Sequence, residues 1–418
     1  MTSDHAHPNS HPHGHGHAQP HPPLRRRLPM PAYETPAKYS DFLQRMLTRG
    51  RESLREEFKG ITADGLVRPG LFPVRKTGVS LSPIVRAARD FLATLDAHQQ
   101  RHVSFAIDSD GWRAWCNVHP YMMRHGLGLH ELAPAQREAA LALMSTALSA
   151  SGFETARNVM KLNEHARELT GLGDEYSEWY YWLSIFGMPS ETEPWGWQFD
   201  GHHLIVNCFI LGDQLVLTPL FMGSEPVLAE SGKYAGTAVF RAEESGGLVM
   251  MRALSTEQQA RAVIDTRLPG EVLAAAYADN LRMPYEGIRY GDLTTTQQTV
   301  LRDLIGVYLN RVRAGHAEIG IEQVLAHLSE THFSWIGAHD DRGPFYYRIH
   351  SPVVLIEFDH QRPVGMRHLL DPNVPSLDHI HTVVRTPNGN DYGKDLLRQH
   401  YAQHDHSHPH SPHRLGKM

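Results

Sequence analysis

The segment from His203 to Thr218 constrains the fold most strongly, because it predicts a β-hairpin that is buried on most of both faces. A mostly apolar run extends from His203 to Leu211, Gly212 and Asp213 supply a turn, and a second short apolar run follows. Strands of this composition need neighbours on both sides and layers over both faces. The chain is therefore expected to contain a sheet of several strands.

Later segments extend this sheet. Residues 332–338 and 345–350, separated by a turn, predict a second hairpin, and residues 353–358 and 379–385 predict two further strands. The first half of the chain instead has apolar residues at helical spacing. These helices are expected over residues 39–58, 82–95, 134–150 and 153–169. Together the patterns predict an α+β fold, with a helical N-terminal half packed on a mainly antiparallel β-sheet.

Two hydroxyl residues each precede a glutamine by three positions, Ser255 before Gln258 and Thr294 before Gln297. This spacing is typical of a capping box, in which each side chain binds a backbone N–H of the other residue. Two further helix starts are therefore predicted.

The domain organisation follows from composition. One α+β domain is expected over residues 38–400, with a helical part at 38–175 and a mainly sheet-forming part at 176–400. Residues 1–37 and 401–418 are rich in His, Pro, Gly and Ser and contain few large apolar residues, so we expect them to be disordered.

Charge and cysteine content exclude several classes of protein. The chain has 40 Lys and Arg against 46 Asp and Glu, which gives a formal charge of −6 and no general attraction to nucleic acid. No apolar run approaches the roughly 18 residues of a membrane span. Cys116 and Cys208 lie in apolar surroundings that favour reduced thiols. We therefore expect a cytoplasmic protein with neither nucleic acid nor membrane as partner.

The two tails are unusual for their histidines. Of 30 histidines in the chain, seven lie between His5 and His21 and six between His400 and His413. Closely spaced histidines in flexible segments bind Ni, Zn, Cu or Co. Metal ions are therefore predicted partners of the tails, with an engineered tag or a pH-sensitive solubilising tail as alternatives.

The predicted strand at 379–385 contains polar residues at alternate positions. Period two places His379, His381 and Arg385 on one face. Two imidazoles separated by one residue can bind a single metal ion. A solvent-facing edge strand would give the same pattern.

Polar residues also interrupt two other apolar segments. His202 and His203 lead into the first hairpin, where either could instead be a core histidine bound to a carbonyl. Glu357 interrupts an apolar strand, and a buried carboxylate usually binds a cation, which could be a metal ion or the side chain of Arg348 or Arg385.

We combine these elements into one candidate site. Its metal ligands are His202, His203, His379 and His381, its catalytic residues are Arg385 and Glu357, and its substrate-binding residues are Trp195, Trp197 and Arg348. Glu357 is also considered as an additional ligand, and Arg385 is expected to orient an anionic substrate. The ion is expected to be Zn, Fe, Ni, Mn or Cu.

This site predicts a metal-dependent hydrolase or oxidoreductase that activates water or dioxygen on a small, anionic substrate. One alternative is a metal-binding, storage or delivery protein whose tails are the functional part. A second alternative is a metal-free enzyme with a His/Glu general base.

Long motifs resemble a bacterial and fungal family that is catalogued only as a domain of unknown function. They are residues 189–204 (PSETEPWGWQFDGHHL), 221–226 (FMGSEP), 345–352 (FYYRIHSP), 356–359 (IEFD), 379–385 (HIHTVVR) and 390–393 (NDYG). The resemblance covers roughly residues 38–400 and implies no particular reaction. The histidine-rich tails look like an addition to the family domain.

Overall fold

The computed structural model describes residues 39–404 apart from residues 119, 120 and 341. The predicted tails lie outside the described residues, except for residues 401–404. Residues 401–403 belong to the last helix, which therefore extends past the predicted domain end at residue 400. 

The described residues form ten α-helices and one 13-stranded sheet, which confirms the α+β class. The helices are α1 Asp41–Ser53, α2 Ser82–Ala93, α3 Ala97–Val103, α4 Pro134–Ala147, α5 Ala150–Thr170, α6 Arg241–Ala253, α7 Thr256–Ala262, α8 Thr295–Leu309, α9 His316–Leu325 and α10 Lys394–Gln403. The strands are β1 Ser104–Phe105, β2 Leu127–Gly128, β3 Tyr181–Phe186, β4 Trp195–Gly201, β5 Leu204–Leu211, β6 Gln214–Val216, β7 Leu220–Ser224, β8 Val263–Asp265, β9 Ile288–Arg289, β10 His332–Gly337, β11 Phe345–His350, β12 Leu355–His360 and β13 Ile380–Arg385.

Local sequence signals account for several helix ends. α5 ends at Gly171, which adopts a left-handed conformation with φ of 72° and donates its N–H to the carbonyl of Arg167. Both predicted capping boxes form, at the start of α7 and of α8. In α8, the Thr294 hydroxyl accepts from the N–H of Gln297, whose side chain accepts from the N–H of Thr294.

The strands are ordered β1-β3-β4-β5-β7-β13-β12-β11-β10-β8, with β2, β6 and β9 paired at the sides. All pairs are antiparallel except β1 with β3 and β10 with β8. The hairpin of β5 and β6 and the hairpin of β10 and β11 both match the predictions. β13 lies in the interior of the sheet between β7 and β12, so it is not the polar edge strand considered above.

The central strands are buried along their whole length. Every residue of β4, β5, β7, β11, β12 and β13 is buried, including their charged and polar residues. Buried polar groups need hydrogen-bond or ionic partners. The partners of these groups therefore determine what the sheet can do chemically.

Among the described residues, no helix combines the length and the apolar character needed to span a bilayer.

The capping box of α8 gives a test of the local structure. Thr294→Ala removes the hydroxyl that binds the N–H of Gln297, and we expect the free energy of unfolding in urea to fall by about 1 kcal/mol. Thr299→Ala, at an exposed position inside the same helix, is the matched control and should change it by less than about 0.5 kcal/mol. Equal effects of the two substitutions would contradict the capping role.

Candidate metal centre

Three buried histidines converge at one point of the sheet. The ligand atoms of His203, His379 and His381 all lie within 4.8 Å of one another. Nε2 of His379 is 3.1 Å from Nε2 of His381 and 3.4 Å from Nε2 of His203. We call these three residues the histidine cluster. They are between 3% and 5% exposed, so the cluster is shielded from bulk water.

The pairing of β13 with β7 brings the cluster together. His381 lies opposite Gly223, and the N–H of Gly223 donates to the carbonyl of His203 at 2.8 Å. A Cβ on Gly223 would lie 2.7 Å from Cδ2 of His381 and 3.3 Å from Cδ2 of His203. The glycine therefore provides the space in which the two rings approach each other.

His203 lies in a turn and not in the predicted strand. Gly201 pairs with Leu204, so His202 and His203 form the two-residue turn between β4 and β5. His203 adopts a left-handed conformation with φ of 63°, which is uncommon for a residue with a side chain. Backbone strain of this kind concentrates at functional sites.

The hydrogen bonds of the cluster determine which ring nitrogens carry protons. Nδ1 of His379 is 2.7 Å from the carbonyl oxygen of Arg362, and Nδ1 of His381 is 2.6 Å from Oε1 of Glu271. A carbonyl and a carboxylate can only accept, so both Nδ1 atoms donate. In the neutral form of each ring, Nε2 then carries a lone pair, and the Nε2 atoms of His379 and His381 lie 3.1 Å apart.

Burial opposes the protonation of two of the three rings. Removal from water, together with the neighbouring imidazoles, holds the pKa of His203 and of His379 well below the ordinary histidine value. A metal ion satisfies the lone pairs without protonating a buried ring. Metal–nitrogen bonds of about 2.0–2.1 Å at tetrahedral or right angles place the nitrogens about 2.9–3.4 Å apart. The separations of the His379 Nε2 atom from those of His381 and His203, 3.1 and 3.4 Å, lie in this range.

Glu271 is the residue of the site that sequence reasoning missed entirely. Its Oε2 accepts from Nδ2 of Asn117 at 3.2 Å, and the carbonyl of Asn117 accepts from the N–H of His203 at 3.3 Å. Glu271 thus connects His381 to the segment next to His203. It lies in a stretch without helical or strand periodicity, so no local pattern indicated it.

Glu225 supports the other side of the cluster. This buried carboxylate lies 3.7 Å from Nδ1 of His379 and accepts the backbone N–H groups of Val364, Gly365 and Met366. Burial raises its pKa. Through its hydrogen bonds with these three N–H groups, Glu225 holds the loop whose Arg362 carbonyl binds His379.

Asp359 is a further acidic residue beside the cluster. It lies opposite His381 in the pairing of β12 with β13, it is fully buried, and its Oδ1 has no hydrogen-bond partner among the described residues. Burial and then the charge of Glu271 raise its pKa well above the ordinary value, which favours a neutral carboxyl group. Its period-two relation to Glu357 would have revealed it from sequence.

Glu357 does not belong to the histidine cluster. Its carboxylate accepts from the Tyr346 hydroxyl at 2.6 Å and from the N–H groups of Leu273 and Ala274 at 3.0 and 2.8 Å. These donors occupy both oxygens. Because Leu273 and Ala274 closely follow Glu271, Glu357 positions the segment that contacts His381.

Arg385, for which the sequence suggested a role in orienting an anionic substrate, binds protein groups that include the same segment. Its Nε binds Asp391 at 2.7 Å, its Nη2 binds Asp279 at 2.8 Å, and its Nη1 donates to the Ala274 carbonyl at 2.8 Å. All three nitrogens therefore bind protein acceptors. The side chain is completely buried in this network.

The two predicted tryptophans lie away from the cluster. Trp195 pairs with Ile210 and Trp197 with Cys208, whereas the face that carries His381 continues through Phe221 and Ile205. Alternation along β5 therefore places both indoles on the opposite face of the sheet. They pack in the core and do not line a pocket at the cluster.

His202 and Arg348 lie near the site without joining the cluster. The His202 ring stacks on His203 with ring centroids 3.9 Å apart, and its Nδ1 is 2.9 Å from Oδ1 of Asn163. Arg348 lies across the β11–β12 pair from Glu357, and its Nη2 binds Glu286 at 2.7 Å. His202 thus supports the turn, while Arg348 lines a neighbouring cavity.

The fold and the histidine cluster define an α+β protein with a candidate three-histidine metal site. The chain belongs to the family described as "Protein of unknown function (DUF3500)", whose model matches residues 77–394. This confirms the resemblance to a family of unknown function. No curated protein and no solved structure matches the chain.

Glu271→Gln tests whether the contact with His381 matters for metal binding. The test uses a tail-substituted chain, in which serine replaces the histidines of residues 1–37 and 405–418. Loss of the carboxylate should weaken binding at the cluster about 10- to 100-fold in competition with a chromogenic chelator. Glu286→Gln, a carboxylate that binds Arg348 instead, is the control and should leave the affinity unchanged. Equal affinities for Glu271→Gln and the parent chain would contradict the assignment.

Arg385→Gln tests the structural role of the arginine. Removing its charge leaves buried Asp391 without its ionic partner and leaves Asp279 with Arg113 alone, and the free energy of unfolding should fall by about 3 kcal/mol or more. Arg398→Gln, which breaks an ion pair of a largely exposed arginine, should cost less than about 1 kcal/mol. If Arg385→Gln is as stable as the wild type in denaturant titrations, the proposed network is not what holds this region.

Proposed function

We propose that the protein is a metal-dependent enzyme whose transition-metal ion is bound by His203, His379 and His381. The observation that carries the proposal is the convergence of three buried Nε2 atoms, with that of His379 3.1 Å from His381 and 3.4 Å from His203, while Nδ1 of His379 and of His381 donates away from the cluster. The reaction class is a hydrolysis or an oxidation of a small molecule.

The side chains around the cluster suit this chemistry. A bound ion with three histidine ligands retains an open position and supplies Lewis acidity that activates water or dioxygen. Glu271 is 35% exposed in its side chain and can accept a proton and pass it to solvent. Asp359 lies opposite His381 in the pairing of β12 with β13 and provides a second carboxyl group there, which is fully buried. Glu271 and Asp359 thus differ in their exposure to solvent, and this difference allows them different roles in proton transfer.

A cavity next to the cluster provides room for the substrate. It is lined by Asn117, Glu271 and Arg348, among others, and has a volume of about 390 Å³, which is within the usual range for small-molecule sites. We also propose a cytoplasmic location, which is supported by Cys116 and Cys208, both buried and without a disulfide partner.

The decisive measurement is metal content by inductively coupled plasma mass spectrometry. The tail-substituted chain, purified without added metal, should retain about one equivalent of a transition metal after dialysis, because three nitrogen donors bind such ions tightly. His381→Ala in that chain should lose it. His332→Ala is the control, since this half-buried histidine lies outside the histidine cluster.

The identity of the ion would then select the assay. Zinc directs the search to hydrolysis, and iron, copper or manganese directs it to oxygen chemistry. Absence of metal from the tail-substituted chain, with several equivalents in the natural chain, would contradict the proposal. It would place the function in the tails and support the storage or delivery alternative.

A further inference from the structure

The cavity beside the histidine cluster shares Glu271 with the cluster. Glu271 lines the cavity and binds Nδ1 of His381 with Oε1. Asn117 also lines the cavity and donates to the other carboxylate oxygen. A molecule in this cavity would therefore lie in direct contact with the residues that hold the cluster.

The cavity carries an excess of positive charge. Three arginines line it, of which Arg49 and Arg282 are exposed while Arg348 is only 2% exposed. The two glutamates of the lining are already engaged, Glu271 by His381 and Glu286 by Arg348. At least one cationic charge thus remains available to a ligand.

Arg348 shows an unmet hydrogen-bonding requirement. Its Nε is buried and has no hydrogen-bond partner among the described residues. Its ionic partner Glu286 has a side chain that is 47% exposed, so this glutamate can turn to solvent when another anion approaches. Arg348 lines the cavity, and an oxyanion is the group that a guanidinium fork binds best.

The remaining walls of the cavity are apolar. Val272, Ala276, Leu281 and Met283 contribute aliphatic surface, and Tyr277 contributes an aromatic ring. Such walls favour a ligand with an apolar body, whereas a small inorganic anion would leave them in contact with water.

We propose that this cavity binds an amphipathic small molecule, in which an oxyanion is attached to an apolar body and is bound by Arg348. The inference rests on the proposed function only in identifying this molecule as the substrate. It transfers the anion-binding role, which the sequence suggested for Arg385, to Arg348, Arg49 and Arg282.

The test uses three probes that share an apolar chain and differ in the head group: hexanoate, hexyl phosphate and hexanamide. Binding is measured by isothermal titration calorimetry. The full chain is used without metal, so that a probe anion cannot bind to a metal ion. We expect at least one of the two anions to bind about tenfold or more tightly than the neutral amide, as a charge-assisted hydrogen bond to arginine predicts. The anion that binds better distinguishes a carboxylate substrate from a phosphate ester.

Arginine substitutions locate the binding. Arg348→Met should reduce the affinity for the preferred anion about tenfold and leave that for hexanamide unchanged. Because this buried residue could be needed for folding, Arg49→Gln and Arg282→Gln provide exposed variants, each with an expected loss of a few fold. Arg302→Gln, an exposed arginine that lines a different cavity, should have no effect.

Equal affinities for the three probes, or an anion preference that survives all three arginine substitutions, would overturn the inference. The result is separable from the metal measurement. Arginine-dependent anion binding in a chain that retains no metal would support the anion site and contradict only the enzyme proposal. One bound metal ion together with no anion preference would leave the enzyme proposal intact and overturn the anion site.

Discussion

The antiparallel pairing of β13 with β7 determines where the candidate ligands lie. It places His381 opposite Gly223, and the backbone of Gly223 in turn binds the turn residue His203. A one-residue change of this register would move His379 and His381 to the other face of the sheet. The pairing of β13 with β12 in turn sets Asp359 opposite His381. The two pairings of β13 thus fix the positions of ligands and an acidic residue that are far apart in sequence.

Buried charges then fix the segment that lies over the sheet. Residues 271–279 contain turns and bends but no helix or strand, so regular hydrogen bonding does not hold them. Glu357 binds the N–H groups of Leu273 and Ala274, and Arg385 binds the carbonyl of Ala274 and the carboxylate of Asp279. Desolvating these charges is costly unless they are paired this completely. The contacts of Glu357 and Arg385 therefore position Glu271 against His381.

Sequence patterns predicted what depends on short-range periodicity. The buried hairpin of β5 and β6, both capping boxes and the shared face of His379 and His381 all follow from spacing within a few residues. Glu271 could not be found in this way, since 110 residues separate it from His381 and only the fold brings them together. The ion pair of Arg385 with Asp279 could not be predicted for a related reason, because 106 residues separate the two. The tryptophans could not be placed for a different reason. Alternation assigns a face within one strand, but comparing Trp195 with His381 also requires the pairing of the strands between them.

The carboxyl groups around the histidine cluster favour a bound cation, as the convergence of the Nε2 atoms also does. Glu225, Glu271 and Asp359 lie around the three imidazoles, whereas Arg362 contacts His379 through its backbone carbonyl. Burial raises the pKa of Glu225 and of Asp359, as expected when carboxyl groups lack a compensating cation. A divalent ion would favour the ionised forms and would also occupy the space between the Nε2 atoms. Binding of such an ion to the folded state alone would stabilise the fold by linkage, so this site would contribute to stability as well as to chemistry.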